Sequence, residues 1–463
     1  MLHIARYHSF AIAFAAVSLC MACVNSPAPA NPDEAAPSHV EDSIAALPDS
    51  LAGVQTDVKD DADVHAGPSV KIGIEVLRDR GFDILKGKRV GLVTNPTGVD
   101  HLLNSTADIL FGAPEVELVS LFGPEHGVRG EVYAETSVSN SRDSRTGLPV
   151  YSLYGTMMEP SPEILKGIDV MVYDIQDVGT RSYTFISTLG LVMSACAKND
   201  VEVVVLDRPN PLGGEKVEGC CVEDGFYSFV GMFAIPYVYG LTVGEVATLI
   251  NEEGLNKGIK GNEDPLKCKL SVVPMEGWHR RMTYEDTGLP WVLPSASIPF
   301  VRSAADYPSS GLIGELEFLE TGLHYSLPFQ TFAQEWIDAD KLLEKLQSYN
   351  LPGVSFRTIH YRPFFGSDKR KTIHGVQFFY TDYPKAYITL TQFYVLQALH
   401  ELYPDRNPFD ARKIRLASFD IACGTNYVRE QFQKRFLVED IIDWWTKDDA
   451  SFRKLSSKYY LYD

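Results

Sequence analysis

The chain has 463 residues, 45% of them hydrophobic and 22% charged, with 61 acidic side chains against 42 basic ones for a net charge of −19. That apolar content supports two ordinary globular cores and excludes a fibre or a wholly disordered chain. An acidic balance without a basic run excludes the electrostatic footprint of a nucleic-acid binder.

The first element reads as an export signal. "MLHIARYHSFAIAFAAVSLCMAC" places Arg6 ahead of an apolar run from Phe10 to Leu19 that is too short for a stop-transfer helix. Its end, Leu19 to Ala22 and then Cys23, is similar to a lipobox, although Cys20 and Met21 depart from the pattern. The expectation is an exported protein, periplasmic or at the cell surface, held on a membrane by lipid at Cys23. Residues 24–68 hold nine acidic side chains and one lysine, with no apolar periodicity, and read as a disordered tether.

From Lys71 onward short apolar runs alternate with helical patterns. "KRVGLVTNP", "EVELVSLFGPEHG", "DVMVYDIQD" and "VEVVVLDRPNP" read as strands; "HLLNSTADILFG", "SPEILKGI" and "RSYTFISTLGLVMSACAKND" read as helices. Val/Ile/Leu runs separated by helices mark βαβ units around a parallel sheet buried on both faces. The fold class is therefore α/β, a Rossmann-like parallel-sheet domain over 69–299. Within it, Thr242 and Glu245 have capping-box spacing at a helix start. After "PWVLPSASIP" the pattern changes: "VSFRTIHYRP" and "GVQFFYTD" have strand periodicity, "LTQFYVLQALHELYP" and "LVEDIIDWW" helical. Residues 300–463 read as a smaller α+β domain.

Ligands of open parallel sheets bind beyond the carboxyl ends of the strands. Those ends read "TNPTG" at 94–98, "GPEHG" at 123–127, "DIQDVGTRSYT" at 174–184 and "DRPNPLGG" at 207–214. Together they supply the carboxylates Glu125, Asp174, Asp177 and Asp207, the cations Arg181 and Arg208, and the hydrogen-bonding groups Asn95, His126, Tyr183 and Asn210. Neither a phosphate loop nor G-x-G-x-x-G follows the first strand, so no nucleotide cofactor is expected. No C-x-x-C, H-E-x-x-H or zinc-spaced cluster occurs, so no metal is expected either. The five cysteines after Cys23 are an odd number and read as buried thiols.

Carboxylates in an oriented polar shell are what glycoside hydrolysis requires, one of them protonated to donate to the leaving oxygen. Glu125 is the best candidate for that acid, because a buried sheet edge and a neighbouring Asp both raise a carboxyl pKa. His126 either orients Glu125 or is a structural histidine. Asp174 and Asp177 need not both enter the cleft, and Asp207 either meets substrate or pairs with Arg208.

"GLVTNPTGV", "LFGPEHGVRG", "VYDIQDVGTRSYT", "LDRPNPLGG", "SFVGMFAIPYVYGLTVGE" and "GWHRRMTYEDTGLPWV" resemble the YbbC/NamZ family of bacterial exo-β-N-acetylmuramidases. The resemblance runs on through "YPSSG", "LPFQ", "GVQFFYTD" and "FDIACGTNYVRE". It implies release of N-acetylmuramic acid from the non-reducing ends of peptidoglycan fragments, and it puts the family's presumed catalytic carboxyl on Glu125. Arg181 and Tyr183 would then hold the lactyl or N-acetyl group. Two departures bear on specificity: Ser297 stands where relatives carry asparagine, and "GELEFLETGLHYSLPF" lacks the Arg and Asn of the usual run. The alternatives are a non-catalytic or altered-specificity sugar-binding lipoprotein on the same fold, and an oxidoreductase, which the missing glycine fingerprint disfavours.

Overall fold

The computed structural model describes residues 69–130, 141–255 and 266–463; the export signal, Cys23 and the acidic tether lie outside the described residues. The first domain is built on strands β1 (Arg89–Thr94), β2 (Glu117–Gly123), β3 (Ser141–Arg142), β4 (Pro149–Ser152), β5 (Val170–Asp174), β6 (Glu202–Leu206) and β7 (Leu270–Val273), in the spatial order β3-β4-β2-β1-β5-β6-β7. All neighbours pair in parallel except β3 with β4. Omitting β3, the six parallel strands lie in the doubly wound order 3-2-1-4-5-6, with the switch point between β1 and β5.

The near-continuous apolar runs are explained by two cores. Val93, Met171, Tyr173, Val203 and Val205 pack on one face of the sheet, with the helix Phe185–Lys198 and the helix Val243–Glu253. Their sequence neighbours Leu92, Val170, Val172, Val204 and Leu206 pack on the other. Alternate residues thus serve opposite faces, and both faces are dry. The register sets Thr94 opposite Asp174 and Val93 opposite Phe122, so the carboxyl ends come out level on one edge.

The predicted capping box forms: Thr242 Oγ1 accepts from the Glu245 amide and a Glu245 carboxylate oxygen accepts from the Thr242 amide at 3.0 Å. Other helices are shorter than their patterns predict, Thr106–Gly112 and Pro162–Leu165 among them. Of "LVEDIIDWW" only Ile442–Trp445 is α-helical.

The second domain holds an antiparallel sheet of β8 (Thr331–Gln334), β9 (Val354–Tyr361) and β10 (Ile373–Tyr380), in the order β8-β10-β9. Helices Ala339–Ser348 and Thr391–Leu402 bury their apolar stripes in its core, around Phe332, Leu342, Phe378 and Phe393. The chain then returns to the first domain. Phe452 enters the first sheet's core, the Tyr462 hydroxyl donates to Asp207 at 2.5 Å, and the Leu461 amide donates to Glu245 at 2.9 Å. Arg280 lies 3.5 Å from the centroid of the Tyr460 ring.

Candidate active site

Side chains stitch three of the four strand ends together. Asn95 Oδ1 accepts from the Thr97 amide (2.9 Å) and hydroxyl (2.5 Å), and Thr97 Oγ1 accepts from the Gln176 amide at 2.9 Å. The Gln176 side-chain amide donates onward to the carbonyls of Asp177 and Pro209, at 2.9 and 2.7 Å. Three side chains on this edge each have one polar atom left over. Asn95 Nδ2, Gln176 Oε1 and Asp177 Oδ1 are buried and have no hydrogen-bond partner among the described residues. Buried polar atoms are nearly always answered, and three left over on this one edge suit a polar ligand or water there.

Asp174 is not one of the ligand-facing groups. Arg208 donates to both its oxygens, from Nε at 2.5 Å and Nη2 at 2.9 Å, and the Thr106 hydroxyl adds a third bond at 2.5 Å. All three residues are buried, and Arg208 Nη2 also meets the Val99 carbonyl. A bidentate pair of this kind fixes geometry; Asp174 and Arg208 brace the switch point. The Arg208 guanidinium does not pair with Asp207, one of the two alternatives for that carboxylate; of Arg208 only the backbone amide donates to it, at 2.9 Å. Asp207 also accepts from the Gly244 amide and the Thr242 hydroxyl, each at 2.7 Å, and from Tyr462. It anchors a helix N-terminus, where a carboxylate is stabilised, and burial pushes its pKa up to about 6.

Two further expected substrate contacts prove to be scaffold. Asn210 Oδ1 accepts from the Leu212 amide and Nδ2 donates to the Leu241 carbonyl, which uses both ends of the amide. Gly179 must be glycine beneath it, since a Cβ would fall 2.3 Å from Asn210 Oδ1. Arg181 is 1% exposed. Its Nη1 donates to the carbonyls of Cys220 and Ile235, and its Nη2 to those of Ala422 and Cys423, at 2.6 to 3.0 Å. With both terminal nitrogens committed to backbone, Arg181 cannot grip a lactyl carboxylate; it staples the second domain to the first.

Glu125 sits in a turn closed by the Gly127 amide on the Pro124 carbonyl at 3.0 Å, with His126 at φ 76° and Gly127 at φ 78°. A histidine at positive φ costs about 1 kcal/mol or more, which answers to the space available: a Cβ on Gly123 would lie 2.9 Å from the Gly127 Cα. The chain doubles back so tightly that Glu125 is pushed out past the strand end, half-buried, with His126 beside it.

Glu125 and Asp177 act electrostatically on one pair of rings. The negative charge of each raises the hydroxyl pKa of both Tyr183 and Tyr307, on top of the larger effect of burial. The two rings stand edge to face with centroids 6.0 Å apart. Tyr307 shares a 2.9 Å hydrogen bond with Ser182, and Ser295 lies beside the Tyr183 hydroxyl. Val178, Ile298, Ala304 and Phe329 form the apolar backing, with Leu323 and Trp291 packed against it. Asp177 Oδ2 accepts from the Gly179 amide at 2.9 Å and from the Tyr239 hydroxyl, while Oδ1 is buried with no partner among the described residues. Burial, offset by those two donors, puts its pKa up to about 6. Glu315 acts on Tyr307 from the second domain, and burial raises its pKa to about 7.

Of the ten side chains expected at this edge, Glu125, His126, Asp177, Tyr183 and Asn95 remain facing or bordering it. The polar groups of Asp174, Arg181, Asp207 and Asn210 are taken up by scaffold partners, and Arg208, though paired with Asp174, lines a small cleft on this edge with Thr97, Gln176 and Tyr284. Tyr239 and Tyr307 were not foreseen; Tyr307 opens "YPSSG", a segment singled out only for its likeness to relatives. Among the described residues no group of three His, Cys, Asp or Glu side chains is arranged to hold a metal ion.

The family model described as exo-beta-N-acetylmuramidase NamZ, N-terminal, matches residues 90–302, and its C-terminal counterpart matches 305–462. The peptidoglycan beta-N-acetylmuramidase NamZ of Bacillus subtilis (strain 168) is 41% identical over 395 residues, 85% of this chain and 92% of the relative. Two crystal structures of DUF1343 family proteins from Bacteroides fragilis superpose. One has a TM-score of 0.81 and 51% identity, covering 86% of this chain and all of its own. The other has a TM-score of 0.66 and 28% identity, covering 85% of this chain and 99% of its own. On sequence over both domains and on fold, the chain belongs to the exo-β-N-acetylmuramidase NamZ family of glycoside hydrolases.

Proposed function

We propose that this protein hydrolyses the bond linking a terminal N-acetylmuramic acid to the rest of a peptidoglycan fragment, with Glu125 as proton donor and Asp177 as the second carboxyl. What supports the assignment of roles is that the carboxylates of Asp174 and Asp207 are taken up by scaffold donors, whereas Asp177 Oδ1 has no partner among the described residues and Glu125 stands half-buried past its strand end. Glu125 delivers a proton to the departing oxygen. Asp177, ionised, stabilises positive charge developing on the sugar or orients the attacking group. Asn95 Nδ2 and Gln176 Oε1, a donor and an acceptor, suit the hydroxyl and acetamido groups of the ring. The tyrosine rings give its apolar face a wall.

The test is a rate–pH series on nitrophenyl N-acetylmuramide, with the matching glucosaminide in parallel. The muramide is the better substrate. Its rate rises with pH through about 6 as Asp177 loses its proton, and the residual rate of Asp177→Asn is flat across that interval. An unchanged acidic limb in Asp177→Asn would remove Asp177 from the mechanism.

We also propose that Cys23 is the lipid-anchored start of the mature, exported protein, supported by the short apolar run before it and the acidic tether after it. Cys23→Ala releases the protein from membranes in fractionation; equal retention with the wild type would exclude the anchor.

A further inference from the structure

The loop between β9 and β10 is unlike the rest of this acidic chain. "RPFFGSDKRK", residues 362–371, holds four basic side chains and one acidic one in a protein of net charge −19. Phe364 is 66% and Phe365 45% exposed. Arg362, Lys369 and Arg370 are exposed and, among the described residues, in no ion pair, whereas Lys371 meets Asp368 and Glu335. Adjacent exposed aromatics ringed by free cations are not what a solvated hairpin tip needs, and exposed apolar patches with polar rims mark interaction sites.

The loop is also fixed, and fixed to the active site. The Phe364 amide donates to the His324 carbonyl at 2.9 Å, and Gly366, at φ 81°, lies so close under the His324 ring that a Cβ would sit 2.9 Å from Nδ1. His324 stands edge to face with Phe365 at 5.0 Å, and Tyr325 packs on Phe364 at 5.0 Å. The preceding residue, Leu323, is part of the apolar backing of Tyr183 and Tyr307. Three consecutive residues, 323 to 325, therefore join the catalytic pocket to the aromatic, cationic loop.

We propose that the 362–371 loop is an accessory glycan-binding surface, which holds a carboxylate-bearing peptidoglycan strand beside the pocket that trims its end. The inference rests on the glycosidase reading of that pocket. Sugar rings stack their apolar C–H faces on Phe364 and Phe365, and the carboxylates of lactyl groups and peptide stems are met by Arg362, Lys369 and Arg370. The positive charge of these three side chains, unpaired among the described residues, is complementary to an anionic polymer. The same composition suits an anionic bilayer, but continuity with the pocket through residues 323 to 325 favours the glycan.

Full-length protein is sedimented with insoluble cell-wall peptidoglycan, alongside Phe364→Ala/Phe365→Ala and Lys369→Glu/Arg370→Glu. Each pair of changes lowers affinity by about tenfold, the charge pair most at low salt. kcat/KM on wall glycan falls by the same factor, and kcat/KM on the small nitrophenyl muramide stays within about twofold. The proposal is overturned if the wild type does not sediment, if both variants sediment as it does, or if the small glycoside loses as much as the wall. It is equally overturned if the variants lose binding to vesicles of anionic phospholipid while wall binding is unchanged. Sedimentation needs no turnover, so a protein that binds wall yet cleaves no muramide sinks the enzyme reading and leaves the loop standing.

Discussion

Glu125→Gln is expected to lower hydrolysis of an unactivated muramic disaccharide by about a hundred- to ten-thousand-fold, the range general acid catalysis supplies. The amide keeps the shape of the side chain and the turn closed by Gly127 on Pro124, so the circular dichroism spectrum and sugar affinity are retained. A nitrophenyl glycoside, whose leaving group needs less protonation, loses less. The wild-type limb on which the rate falls with rising pH vanishes in the variant. Cleavage of the natural linkage at the wild-type rate would make the turn mere punctuation and shift attention to Glu315, whose pKa burial raises to about 7.

The second large effect is on stability. Arg181→Ala removes the donor to four buried carbonyls from two domains, and each carbonyl left unanswered costs about 1 to 3 kcal/mol. With partial relaxation the loss is about 4 kcal/mol, a large share of the stability of an ordinary domain, and the unfolding midpoint falls by about 10 °C. Arg181→Lys recovers little of this, since one ammonium cannot span four acceptors. In both variants the turnover per folded molecule is retained, measured by active-site titration below the midpoint. An Arg181→Lys enzyme that unfolds like the wild type and loses only muramide turnover would return Arg181 to the substrate.

Strand identity and the ligand-bearing edge were legible because the parallel strands β1, β5 and β6 are buried on both faces and so read as unbroken apolar runs that end abruptly in polar residues. The capping box at Thr242 was legible because it is local, three residues from donor to acceptor. The roles of Arg181 and Arg208 were not. Arg181 is spoken for by backbone carbonyls as far away as Cys423, and a carbonyl leaves no mark on the residue type that carries it. Asp174 lies 34 residues before the arginine that claims it, so only strand order, with β5 beside β6, decides between it and adjacent Asp207. The short strands β3, β4, β7 and β8, of two to four residues, fall below the length at which alternation has a period to detect.

The return of residues 449–463 to the first domain makes completion of that domain depend on chain far along the sequence. Tyr462 meets Asp207 across 255 residues of chain, and contacts of such separation form late because the loop they close must be ordered first. Until residues 449–463 are in place, Asp207, at the root of the strand end that also carries Arg208, lacks the Tyr462 donor. The Tyr462 hydroxyl thus adds a last donor to the strand end from which Arg208 reaches Asp174.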